Sequence, residues 1–234
     1  MPRIVGVDLR RDLESNPSPG LSPVRARLRR AALALILAED LVEASYCYEV
    51  LPLEAPPGPT LHAGGTAFDA PGLLPASGEL TALGFAACTL GPRLQARCTA
   101  LFGEKRASLA VALDELGSEM LFALARRLQD RVLSECYRKR LSLGAELNAG
   151  DPGLALETLD AIVRLSGAAD IGIGLHGGKL MTPLKSTAMI FAIGRDLPAV
   201  ALARCGGCPS RLRCTFGRRP AAAPPAVPLL PAYA

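Results

Sequence analysis

The chain has 234 residues, half of them apolar, with no tryptophan and few other aromatics; it can build one sizeable core and is too apolar to stay disordered. The net charge is a mild +4, and the arginine clusters at 25–30, 126–140 and 204–219 lack the interleaved aromatics and motifs of a nucleic-acid binder, which argues against that class. No apolar run approaches the ~20 residues a bilayer span needs, and Met1-Pro2-Arg3 with Asp8 close behind does not read as an export signal, so a cytoplasmic protein without membrane contact and with mostly reduced thiols is expected.

Residues 1–23 read as an N-terminal arm, with a short apolar patch at Ile4, Val5 and Val7 that could form a strand. Ser22-Pro23 is a helix start, serine capping and proline in the first turn, and the helix is expected to run to about Ser45. Tyr46 to Leu53 alternates as a strand that Pro56-Pro57-Gly58-Pro59 ends. Phe68 to Pro75 reads as a short broken strand, and Thr81 to Thr89 as a buried one closed by Leu90-Gly91-Pro92. A helix follows from about Arg93 to Phe102. A much longer one runs from about Glu104 to Arg140, because Leu109, Leu113, Leu116, Met120, Leu124, Leu128, Val132 and Cys136 recur at steps of three or four. Within it, Gly117-Ser118 would permit close approach of another backbone, or is simply a buried small pair in a helical core. Residues 141–152 read as a loop, and Asp151-Pro152 as the start of a helix with Leu156, Leu159, Ile162 and Val163 inward. Ile171, Ile173 and Leu175 alternate as a strand, His176-Gly177-Gly178 turns, and Ser186 to Gly194 looks like its antiparallel hairpin partner.

Several of these segments, in order and spacing, resemble the activation domain of cobalamin-dependent methionine synthase and its short stand-alone bacterial relatives. The segments are Glu43-Ala44-Ser45-Tyr46 leading into the strand, Ala87-Cys88-Thr89-Leu90-Gly91-Pro92, and Leu113-Asp114-Glu115-Leu116-Gly117-Ser118. The most specific is Met181-Thr182-Pro183-Leu184-Lys185-Ser186. The likeness spans roughly residues 25–217. It implies an α/β (α+β) fold: a twisted, largely antiparallel sheet with flanking helices and one long central helix. The domain would occupy residues 24–200, followed by a Cys-rich segment at 201–219 and a Pro/Ala-rich tail at 220–234. It also implies an S-adenosylmethionine site. In the family an Arg-x-x-Pro-Gly-Tyr segment holds that ligand, and Arg140-Leu141-Ser142-Leu143-Gly144-Ala145 is its counterpart. Arg140, Ser142 and Gly144 are the expected contacts, with Lys185 as an added anion-binding group. Arg140 could form a two-pronged bond to a carboxylate. Leu143 and Ala145 depart from the pattern, and Phe122 stands where the family has a ligand-binding Glu, so binding is expected to be weaker.

Three of the seven cysteines form a C-x2-C-x5-C run, Cys205, Cys208 and Cys214, in a Gly- and Arg-rich stretch. Thiolates suit iron–sulfur clusters or zinc, and similar stand-alone relatives end in comparable stretches, which favours a 4Fe-4S cluster over zinc. A fourth ligand is open: Cys88 or Cys98 for a cluster, His62, His176 or another Cys for zinc, or an exchangeable iron site without one. Cys47 and Cys136 lie on apolar stripes and read as core residues.

Two functions fit. The first is an accessory protein of corrinoid-dependent methyl transfer, reactivating a cobalamin-carrying methyltransferase with the cluster as electron relay and a flavodoxin or ferredoxin as donor. The second is a metal-stapled scaffold module that no longer binds S-adenosylmethionine.

Overall fold

The computed structural model describes residues 2–9 and 21–198. The run Cys205, Cys208 and Cys214, the Cys-rich segment and the tail lie outside the described residues. Strand β1 is Arg3–Val5 and helix α1 is Pro23–Glu39. Strands β2 Ser45–Pro52, β3 Thr60–Ala63, β4 Thr66–Asp69 and β5 Glu79–Thr89 follow. Helices α2 Arg93–Gly103 and α3 Ala107–Arg138 come next. The chain closes with β6 Ser142–Leu147, α4 Leu159–Leu165, β7 Gly174–His176, β8 Leu180–Thr182 and β9 Ser186–Arg195.

The main sheet has the order β1-β2-β5-β9-β6 and every neighbouring pair is antiparallel. Side chains alternate across it. Cys47, Leu83, Phe85, Ala87, Ala188, Ile190 and Ala192 enter one core together with Leu159, Ile162 and Val163 of α4 and Leu61 and Phe68 of the β3–β4 hairpin. Phe68 and Phe85 meet there with ring centroids 5.3 Å apart. The opposite face presents Tyr46, Tyr48, Ala86, Met189, Phe191 and Ile193, all buried. Helix α3, 32 residues long, lies on this side, as the bond from the Tyr48 hydroxyl to Glu135 shows. All eight residues of its predicted apolar stripe are buried.

Three helices end alike. Asp40, Lys105 and Arg140 each adopt a left-handed φ, at 48°, 58° and 55°. In each case the next residue's N–H reaches back five residues, Leu41 to Ile36 O, Arg106 to Leu101 O and Leu141 to Cys136 O. This is the cap that most helices give to glycine.

The structure corrects several expectations. Helix α1 stops at Glu39, not near Ser45, because the Asp40 cap turns the chain. Residues 142–147 form strand β6 where a loop was expected; its polar, Gly-broken pattern hid a sheet edge. Asp151 does not open a helix. Its carboxylate accepts from the Asn148 backbone N–H at 2.7 Å and closes a turn, while Leu156 is exposed and begins only a 3-10 turn before α4. Ile171 belongs to another 3-10 turn. The hairpin partner of β7 is β8, with Leu175 opposite Met181, whereas β9 inserts between β5 and β6. Strand β3 had no expectation attached.

Candidate functional site

The four segments that carried the sequence resemblance meet in one corner of the fold. Glu43 N–H donates to Leu90 O at 2.9 Å, and Leu90 N–H donates to Lys185 O at 2.9 Å. The Glu43 carboxylate pairs with Arg93 at 2.8 Å. Thr89 Oγ1 accepts from Gly91 N–H at 3.1 Å and lies 2.8 Å from Ser186 Oγ. Gly91 has no room for a side chain: a Cβ there would lie 2.8 Å from Glu43 Cβ. Lys185 completes the corner. Its ammonium is 2.7 Å from Asp114 Oδ1 and donates to Ser118 Oγ at 2.9 Å. The Gly117-Ser118 pair in α3 therefore receives the Lys185 side chain, with Leu94 packed over Gly117.

Lys185 was expected as an added anion-binding group. Its side chain is 12% exposed and its cation is spent on α3, because Asp114 and Ser118 approach from the facing helix. Nor does it stand beside the other predicted ligand residues. Asp114 and Arg138 lie at opposite ends of α3, roughly 36 Å apart at 1.5 Å per residue.

Arg140 is at that far end. The left-handed cap throws the chain from α3 into β6, and Ser142 pairs across with Gly194 of β9. An open depression of ≈ 530 Å³ lies here, lined by Tyr137, Arg138, Arg140, Leu141, Ser142 and Asp196. Arg138 acts on the nearby Glu135 carboxylate as well. Asp196 supplies a carboxylate on the same wall, held at φ 51° just after β9. The depression thus offers two guanidinium forks, one carboxylate, a hydroxyl and a phenol ring, a set suited to a zwitterion with an aromatic part.

Of the predicted contacts, Arg140 and Ser142 share this depression. Gly144 does not line it: a Cβ there would lie 3.2 Å from Ala192 Cβ and 3.1 Å from Leu197 Cδ1, so this glycine serves close packing. Leu143 is buried, and Ala145 packs against the α4-side core. Phe122 is exposed on α3 about four turns before Tyr137. Sequence reasoning missed Tyr137 and Asp196. Asp196 carries no local signal, since the pairing of Ser142 with Gly194 is what sets it beside Arg140.

Neighbouring α3 and β2, Tyr48 hydrogen-bonds Glu135, and burial pushes the Tyr48 phenol up to about 12. Tyr48 and Lys139 hold the Glu135 carboxyl below its ordinary value. Among the described residues no group of three His, Cys, Asp or Glu side chains is placed to hold a metal. Cys88 and Cys98 are buried, and burial pushes the Cys98 thiol up to about 11. His62 and His176 are both exposed on hairpins. No described helix is long and apolar enough to cross a membrane.

No family profile matches the chain, and no curated protein matches it by sequence. Among solved structures it is similar to the crystal structure of the MetH reactivation domain bound to AdoHcy. The TM-score is 0.58 at 16% identity, over 83% of this chain and 72% of that one. This likeness establishes the fold: an antiparallel sheet flanked by helices, one of them long, as the reactivation domain has it.

Proposed function

We propose that the chain is an accessory protein of corrinoid-dependent methyl transfer, which docks on a cobalamin-carrying methyltransferase and helps restore its active state. The observation that carries this reading is the Arg140 depression, set in a fold that the MetH reactivation domain uses in complex with AdoHcy. An S-adenosyl ligand has an α-carboxylate, an α-ammonium and an adenine. Arg140 would take the carboxylate through paired N–H donors, Asp196 the ammonium, and Tyr137 would stack on the base. The chain's task there is to bind and orient the ligand at a fixed distance from the docked corrinoid. Lys185, engaged with Asp114, supports the fold in this reading and does not touch ligand.

An iron–sulfur cluster on Cys205, Cys208 and Cys214 belongs to the same proposal and rests on their spacing. When bound it would supply one-electron transfer, with a flavodoxin or ferredoxin as donor. Zinc is the alternative metal, and iron and sulfide analysis of anaerobically purified protein separates the two.

The test is calorimetry with AdoHcy and S-adenosylmethionine on the full chain. Micromolar to millimolar binding that falls at least tenfold in Arg140→Ala and Asp196→Asn supports the reading. A second reading, a scaffold module without S-adenosyl binding, is favoured by the closed packing of Leu143, Gly144 and Ala145. It gains the field if neither ligand binds the wild-type chain.

A further inference from the structure

Helix α1 is apolar on every side through its second half: Ala31 to Ala38 is an unbroken run of alanine, leucine and isoleucine. The fold uses one side, where Ala32 and Ile36 are buried and Leu33 and Leu35 half-buried. On the other side Ala31, Ala34, Leu37 and Ala38 are exposed, where a surface helix ordinarily turns polar side chains to water. Residues 10–20, which lead into the helix, offer Leu13 as their only large apolar side chain, too little to cover this face. Charge is sorted by end along the same helix. Arg25 and Arg29 pair with Glu115 and Glu119 of α3, while Arg27 and Arg30 are exposed one turn before Ala31 and Ala34, on the outer side. At the other end Glu39, Asp40 and Glu43 share two guanidiniums, Arg93 and Arg97, so negative charge is in excess, and the Asp40 side chain is 84% exposed. The helix has no acid in its first turn and no base in its last, the reverse of what the helix dipole favours.

We infer that two copies of the chain associate through their α1 helices, packed antiparallel about a two-fold axis at Ala34. Residues equidistant from Ala34 then face one another: Ala31 meets Leu37, and Arg27 and Arg30 of one copy reach the end of the other copy's helix that carries Asp40. Alanines at the crossing let the two axes come within about 8 Å. Each N-terminus gains carboxylates and each C-terminus gains guanidiniums, so the charges that oppose the dipole within one helix complement it across the pair. This two-ended pattern selects the occupant. A uniformly acidic or uniformly basic partner matches one end of α1 and is repelled at the other, and an anionic lipid surface is repelled by Asp40. A single helix pair buries less than the ~1,200 Å² of a standard interface, so the dimer is an exchanging one with a dissociation constant on the order of 10–100 µM. Neither the Arg140 depression nor the proposed function enters this inference.

The experiment is sedimentation velocity of the full chain over protomer concentrations from about 5 to about 500 µM. The expected result is a monomer–dimer equilibrium that weakens as salt rises. Its dissociation constant should rise roughly tenfold or more in Ala34→Glu and in Leu37→Lys, both at exposed positions, with circular dichroism unchanged. A charge exchange then reads the geometry. Arg27→Glu combined with Arg30→Glu in one preparation, and Asp40→Arg in a second, should each stay monomeric, because each sets like charges together at both ends of the pair. Arginine is compatible with the left-handed backbone at 40, since Arg140 holds the same conformation. The two preparations mixed should form a heterodimer, because both ends are then complementary. A wild-type chain that stays monomeric at the highest concentration, a dimer that Ala34→Glu leaves intact, or mixed variants that do not pair would each overturn the inference. So would a monomer that co-sediments with vesicles of phosphatidylcholine and phosphatidylglycerol, which would give this face to lipid.

Discussion

Arg140 holds a backbone conformation that crowds its own Cβ, at a position where glycine would stabilise the helix end by roughly 1 kcal/mol. Glycine there should therefore raise the thermal midpoint by a few degrees and at the same time abolish most AdoHcy binding. A scan of Arg140→Gly that shows lower stability would mean the guanidinium contributes to the fold and not to a ligand. Lys185 has the opposite profile. Lys185→Glu sets a second carboxylate against Asp114 and leaves Ser118 without its donor, which should cost about 2–3 kcal/mol, discounted for the half-exposed Asp114. Urea denaturation reads that loss, and AdoHcy affinity of the surviving folded fraction should be unchanged. Both residues stood out in the sequence, but their roles did not. The partners of Lys185, Asp114 and Ser118, lie about 70 residues away in the chain, a separation local pattern cannot bridge. Arg140 and Ser142 line one depression because one short segment carries both.

Elements were legible where their period was long and clean, and illegible where pairing decided them. The apolar stripe of α3 fixed its length to within a few residues. Strand β6, with Gly144 inside and a register shift between Leu143 and Glu146, lacks the alternation that marks a strand. Nothing local says that β9 pairs with β5 and β6 instead of with β7. That insertion depends on close approach of backbones. A Cβ at Gly194 would lie 1.9 Å from Glu79 O, on the neighbouring strand. Gly194→Ala should thus cost more than about 3 kcal/mol or prevent soluble expression, since two strands would have to part. Gly58→Ala, where a Cβ meets nothing within 4 Å, is the matched control, and equal midpoints for the two variants would contradict the pairing of β5 with β9.

For the molecule as a whole, the described cysteines act together. Burial raises the thiols of Cys47, Cys98 and Cys136 from 9.0 to about 11, and the Tyr48 phenol from 10.0 to about 12. A group that holds its proton more tightly when folded contributes stability that is complete below its unfolded pKa and is lost as pH rises through the folded one. Stability should accordingly hold to about pH 9 and fall steeply toward pH 12. The slope should be shallower when Cys47, Cys98 and Cys136 are all alanine, and denaturation midpoints across that range measure it. At neutral pH the same burial protects Cys47, Cys88, Cys98 and Cys136 from a thiol reagent. Rapid labelling of native protein should spare these four, as peptide mapping would show; fast modification of Cys98 would contradict its burial.

The distance between the motif corner and the Arg140 end lets the two be altered separately. The stretches Thr89-Leu90-Gly91, Asp114 to Ser118 and Pro183 to Ser186 are bound to one another by hydrogen bonds, so a change in one disturbs the others. The segment from Arg140 to Ala145 touches none of them in that network. Substitutions at the Arg140 end can therefore reshape the depression while the hydrogen-bonded corner stays intact. The same independence makes this end of the protein the natural place to exchange a recognition loop for that of a relative, with the opposite corner left to guarantee folding.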